Sequence, residues 1–225
     1  MNRPRTEDEW FAKHERDLIE DLKRERQRRE QRIADNLKQE EGRKRKELHW
    51  MKCPKCGSSM TEAPLHENVK IDRCTRCGGL FFDRGELEDI LLKPAEKRKE
   101  YRIGVLHFIL PSWKSKEMDR EKIITDFEAD RDKRKKDVAE WHSTEEGKKQ
   151  KDLHWMKCPK DGSDLKETDL THGLKVDDCT LCRGIFLDYG ELEDISRLND
   201  KERMEIRDRI LELSIHPSES AGPTK

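Results

Sequence analysis

The chain has 225 residues, of which 44% are charged, 32% hydrophobic and 6% aromatic, which is too little apolar material for one large core. Its 49 Lys+Arg against 50 Asp+Glu give a net charge of −1, which argues against a protein held wholly by phosphate contacts, although charge can be segregated along a chain. The longest apolar stretch, residues 105–110, is interrupted by His107 and is far shorter than the roughly 20 residues of a membrane span.

The N-terminus is polar, with no apolar run behind it. Seven cysteines, an odd number, fit poorly with a fully paired secreted framework. Together these features predict a cytoplasmic protein that does not enter the membrane.

An internal duplication organises the rest. EEGRKRKELHWMKCPKCGS from Glu40 returns as EEGKKQKDLHWMKCPKDGS from Glu145, an offset of 105 residues. The same offset maps Leu22 onto Phe127, Ile33 onto Val138 and FDRGELEDI onto LDYGELEDI. The expected architecture is therefore small α+β in a tandem duplication: two ribbons, each a short β-hairpin between cysteine-bearing knuckles, flanked by long charged α-helices.

In chain order, residues 1–48 read as a charged helix, helical over about residues 7–40 with a sparse stripe of Phe11, Leu18, Leu22, Ile33 and Leu37. Opposite charges four apart, such as Glu20 with Arg24, suit a solvated helix. Residues 49–93 are the first ribbon. Residues 94–110 are a helix or connector, with a module boundary near Pro111 and Ser112. Residues 111–153 repeat the charged helix, with Ile123, Ile124, Phe127 and Val138 on its stripe. Residues 154–198 are the second ribbon, 199–216 a C-terminal helix and 217–225 a disordered tail.

In the first ribbon, Cys53 and Cys56 are followed after 17 residues by Cys74 and Cys77. Two cysteines three apart on a tight knuckle aim both sulfurs at one point, and two such knuckles joined by a hairpin close a tetrahedron around zinc. Gly57 and Gly78 give those turns the freedom they need. Met60, Leu65, Val69 and Ile71 are spaced for two short strands, with Leu165, Leu170, Leu174 and Val176 at the same offsets in the second copy. Leu80, Phe81 and Phe82 then lead into a helix.

The second copy reads Cys158, Asp161, Cys179 and Cys182. Three readings are open at this point. Asp161 can serve as the fourth ligand, since a carboxylate binds zinc at about 2.0–2.2 Å. Another group, such as His172, His154 or water, can take the position. Or the metal is lost and packing keeps the fold. An open fourth position would suit catalysis, but no general base or substrate pocket is evident, so a non-enzymatic protein is expected.

Asp83 with Glu86, and Asp188 with Glu191, have the spacing of a capping box at a helix start. Trp50 and Trp155 are expected to pack on their ribbons. The basic runs, Arg43, Lys44, Arg45 and Lys46, then Lys148, Lys149 and Lys151, occupy the same place in each module and are candidate phosphate contacts. The ribbons themselves are acidic, so such contacts must come from the flanking helices.

The pattern MKCPKC…VKIDRCTRCGGLFFDRGELEDIL, with MKCPKD…LKVDDCTLCRGIFLDYGELEDI, resembles the transcription factor IIB-type zinc ribbon family. The resemblance covers about 40 residues in each copy. It implies zinc at Cys53, Cys56, Cys74 and Cys77, and at Cys158, Cys179 and Cys182, with Asp161 and Arg183 departing from the family pattern. It implies transcription only by analogy, and the cyclin-like repeats of transcription factor IIB are not seen here. The functional expectation is a binding adaptor with a protein partner, RNA polymerase or the ribosome. The alternative is direct RNA or DNA binding through the basic segments, and a zinc hydrolase at the second site stands last. The oligomeric state is left open, because the helix stripes can pair within the chain or between chains.

Overall fold

The computed structural model describes residues 7–66, 69–92 and 120–215. The connector at 94–110, the boundary at Pro111 and Ser112 and the tail at 217–225 lie outside the described residues.

Each charged segment is two helices rather than one. α1 (Glu7–Lys38) stops at Gln39, whose extended backbone starts α2 (Glu40–His49). The second copy repeats the break at Thr144, between α4 (Arg120–Ser143) and α5 (Glu145–His154). Here the Thr144 hydroxyl accepts from the Gly147 amide at 3.0 Å, a regular N-cap. The glycine of each Glu-Glu-Gly is required by close approach. A Cβ on Gly42 would lie 2.1 Å from the Asn36 carbonyl oxygen, and one on Gly147 1.8 Å from that of Trp141.

Both ribbons contain the expected hairpins. β1 (Met60–His66) pairs antiparallel with β2 (Val69–Cys74), and β4 (Leu165–Asp169) with β5 (Lys175–Cys179). A third strand follows each second knuckle, where the sequence suggested only an approach to a helix. These strands are β3 (Leu80–Phe82) and β6 (Ile185–Leu187). They pair with each other, Phe81 opposite Phe186, so the two ribbons form one six-stranded sheet in the order β1-β2-β3-β6-β5-β4. A pseudo-twofold axis passes through that central pair.

The two-residue alternation of β3 and β6 sorts their side chains onto two buried faces. Leu80, Phe82, Ile185 and Leu187 face a core made with α3 (Glu86–Leu92), α6 (Glu191–Arg197) and α7 (Asp200–Ile215), through Leu87, Leu192, Ile195, Ile206 and Ile210. Phe81 and Phe186 face the cysteines, together with Met60, Leu165, Val138 and Trp141. Gly79 and Gly184 make room for those rings, since a Cβ on either would lie 2.3 Å from the Phe of the other module.

The core of the seam between modules is reciprocal. The Met51 amide donates to Pro159 O at 2.9 Å, and the Met156 amide to Pro54 O at 3.0 Å. Lys55 pairs with Asp177 at 2.8 Å, and Lys160 with Asp72 at 2.7 Å. The helices also cross over. Trp141 of α4 donates its indole N–H to Cys56 O at 3.0 Å, and Arg134 donates to Arg76 O at 3.1 Å. Arg29 and Ile33 of α1 line a cleft with Cys182 of the second ribbon. Trp141 and Arg134 thus dock α4 on the opposite module, and Val138 of its stripe packs within the chain; the side chains of Ile123, Ile124 and Phe127 lie outside the described residues. No helix among the described residues is long and apolar enough to cross a membrane.

Candidate metal centres

All seven cysteines are free, and they converge in two groups. Cys53, Cys56, Cys74 and Cys77 form one; Cys158, Asp161, Cys179 and Cys182 form the other, with the ligand atoms of each group within 4.8 Å of one another. Each knuckle is a tight turn closed by the amide four residues on from its first ligand. Gly57 N donates to Cys53 O at 2.9 Å and Gly162 N to Cys158 O at 2.9 Å. At the second knuckles, Gly78 N donates to Cys74 O at 3.2 Å and Arg183 N to Cys179 O at 3.1 Å. Arg183 holds the left-handed backbone, φ 63°, that Gly78 holds at 78°. Its side chain donates to Asp178 at 2.9 Å. The exchange of glycine for arginine therefore leaves the knuckle intact.

The geometry tests whether zinc fits. A tetrahedron with Zn–S bonds of about 2.3 Å has sulfur–sulfur edges of about 3.8 Å. Cys53 to Cys77 and Cys56 to Cys74 each measure 3.5 Å, and Cys158 to Cys182 measures 3.7 Å. With a Zn–O bond of about 2.0–2.2 Å, a sulfur–oxygen edge is about 3.5–3.7 Å. Asp161 Oδ2 lies 3.5 Å from the Cys179 sulfur and Oδ1 3.7 Å from it. The Ser163 amide donates to Oδ1 at 2.8 Å. Backbone amides two residues on likewise donate to the sulfurs of Cys53, Cys77, Cys158, Cys179 and Cys182 at 3.4–3.5 Å. Asp161 therefore sits in the hydrogen-bonded niche of a knuckle cysteine, and both clusters fit zinc.

Electrostatics point the same way. Burial pushes the Cys53 and Cys158 thiols well above their ordinary range. Hydrogen bonds from Cys53 and Cys74 hold Cys56 far below it. Burial, and then the charge of Cys179, raise the Asp161 carboxyl. Four buried groups of this kind cannot all be anionic unless a cation shares the site.

The histidines weighed as alternative ligands are engaged elsewhere. His172 meets Glu205 of α7, Nε2 to Oε2 at 2.9 Å. His154 is buried against His49, Nδ1 to Nδ1 at 2.9 Å, where the two modules meet. Burial lowers both imidazoles, and His154 falls to about 4 with the charge of His49 as the next cause.

The capping boxes are half formed. The Glu86 and Glu191 carboxylates accept from the Asp83 and Asp188 amides at 2.7 Å. The aspartate side chains instead face the opposite module, Asp83 toward Lys160 at 3.6 Å and Asp188 toward Lys55 at 3.8 Å. The tryptophans expected to pack on the ribbons are about half exposed, Trp50 at 47% and Trp155 at 46%. Of the basic runs, Lys44 pairs with Glu40 at 2.6 Å and Arg45 turns inward to Asn36 at 2.8 Å. Lys46 lies over the Trp50 ring and Lys151 over that of Trp155, while Arg43, Lys148 and Lys149 are exposed.

Residues 52–93 and 157–197 each match the TFIIB-type zinc ribbon family, described as the transcription factor zinc-finger. The two matches contain both clusters in full and leave the charged helices outside. No curated protein and no solved structure matches the chain.

Proposed function

We propose that this protein, with its two TFIIB-type zinc ribbons, is a non-enzymatic adaptor of the cytoplasm that docks on a large machine of transcription or translation, RNA polymerase or the ribosome. Cys53, Cys56, Cys74 and Cys77 hold one zinc. Cys158, Asp161, Cys179 and Cys182 hold the other. In this role zinc acts as a cross-link: ligation ties the hairpin, both knuckles and the crossed helices into one unit.

The observation that carries the reading is the closure of the second site. Asp161 is 3% exposed, and its carboxylate completes a four-ligand set. A catalytic zinc keeps a position open for water or substrate, so a set of four protein ligands favours a structural zinc over the hydrolase reading.

The test is direct. Zinc-loaded full-length protein is passed with purified core RNA polymerase, and separately with ribosomes, over a sizing column. Stoichiometric co-elution with one of them is expected. Co-elution with neither counts against the adaptor.

A second reading, direct binding of nucleic acid, has its own observation. Residues 40–55 and 145–160, which form the matching halves of the seam, carry 11 Lys+Arg against 6 Asp+Glu, although the chain as a whole is at −1. The positive charge is concentrated around the pseudo-twofold axis, as a polyanion partner requires.

A further inference from the structure

We propose that Trp50 and Trp155 form a paired stacking platform for single-stranded nucleic acid, whose phosphates are met by the lysines beside the rings. The inference rests on the second reading above and specifies its ligand.

The exposed apolar side chains are not scattered. Among the described residues, the large exposed ones are Leu48, Trp50, Leu153, Trp155 and Met204. Four of these five are the same two positions of each module. The rings of Phe81, Phe82 and Phe186 are fully buried, so indoles left in water stand out in a chain with so few aromatics. Trp50 and Trp155 each follow the histidine that meets its counterpart at the axis. The pseudo-twofold that relates the two modules therefore also relates the two rings.

The surroundings select the partner. Lys46 Nζ lies 4.9 Å from the Trp50 ring centroid and Lys160 Nζ 5.7 Å. Lys151 lies 5.0 Å and Lys55 5.5 Å from that of Trp155. Each indole is thus flanked by one ammonium from its own helix and one from the opposite knuckle. Lys55 and Lys160 are anchored by Asp177 and Asp72, whereas Lys46 and Lys151 make no ion pair among the described residues. A base takes the place of the ammonium on the ring face, and the displaced lysine, held by no ion pair among these residues, meets the neighbouring phosphate. In a duplex the base faces are already stacked, so only an unpaired strand can use both rings.

The experiment uses full-length zinc-loaded protein and fluorescein-labelled oligouridylate of about 12 nucleotides. A duplex of equal length and a polyglutamate peptide serve as comparators. Anisotropy should show the single strand bound in preference to both, with affinity falling steeply as salt rises. Trp50→Ala with Trp155→Ala should weaken binding by roughly tenfold or more, and the two Trp→Phe changes should restore most of it. Lys46→Gln with Lys151→Gln should flatten the salt dependence.

Equal binding of duplex overturns the proposal. So does unchanged affinity in the Trp→Ala variant when its zinc content is intact. Preference for polyglutamate assigns the face to an acidic protein instead. If no oligonucleotide binds but polymerase or ribosome co-elutes, the platform falls and the adaptor stands.

Discussion

Replacing Lys55 by Met keeps the aliphatic stem and deletes the charge that bridges the two modules. Lys55 Nζ lies 2.8 Å from Asp177 Oδ2, and the Asp177 side chain is only 5% exposed. Removing one partner of a buried pair costs about 3–5 kcal/mol, because the remaining charge is left uncompensated. The Lys55 side chain keeps 21% exposure, so water reaches the site and the cost falls at the lower end, about 3 kcal/mol. Lys70 and Glu62 form an internal control. They are equally close at 2.7 Å, but with side chains 65% and 57% exposed, and Lys70→Met should cost under about 1 kcal/mol. Urea unfolding of zinc-loaded protein measures both. The double variant Lys55→Met with Asp177→Leu should recover most of the loss. Lys160→Met should match Lys55→Met through Asp72. If Lys55→Met were no worse than Lys70→Met, the seam would not be a buried interface and the continuous sheet would be wrong.

Two further predictions concern pH and have opposite signs. His154 is held at about 4, first by burial and then by the charges of His49 and Lys52. The folded protein therefore refuses a proton that the unfolded chain takes up near 6.5, so this stability is complete above pH 6.5 and lost toward pH 4, by roughly 3 kcal/mol at most. His154→Asn should flatten the fall in urea midpoint between pH 7.5 and 5; an unchanged slope refutes the buried pair. Burial raises Glu191 to about 7, so the folded state keeps a proton that the unfolded carboxyl releases above 4.5, and stability is lost as pH rises from 4.5 to 7. Glu191→Gln keeps the acceptor for the Asp188 amide and should gain about 1–2 kcal/mol at pH 8 with no gain at pH 4.5, read by thermal melts. Trp141→Phe removes the donor to Cys56 O and leaves a smaller, weaker ring under Arg76, at a cost of about 1–2 kcal/mol. A colorimetric chelator should then take zinc faster from the first site than from the second; equal acceleration at both would show that α4 does not brace the first knuckle.

Features carried by short spacing were legible in the sequence. The paired cysteines, the hairpins between them and the duplication all appear as local or repeated patterns. Asp161 was legible as a candidate ligand, because it occupies a cysteine position in an otherwise intact repeat. What escaped was everything set by the encounter of the two copies. Leu80, Phe81 and Phe82 form too short a run to declare a strand, and they are apolar throughout because both sheet faces are covered. Their partner lies 105 residues away, and nothing local announces it. The same encounter buries His49 against His154, draws Asp83 and Asp188 from helix caps to lysines across the seam, and leaves Trp50 and Trp155 outside. The split of the charged helices had a signal, the Glu-Glu-Gly after an N-cap residue, but the surrounding charge pattern continues helically across it.

Zinc content of the full-length chain, read by native mass spectrometry after a mild chelator challenge, bears most directly on the two metal centres. The wild type should retain two zincs per chain, Asp161→Cys two, and Asp161→Ala one. A wild type that keeps a single zinc while Asp161→Cys keeps two, or an Asp161→Ala variant that keeps both, would contradict the assignment of Asp161 as the fourth ligand.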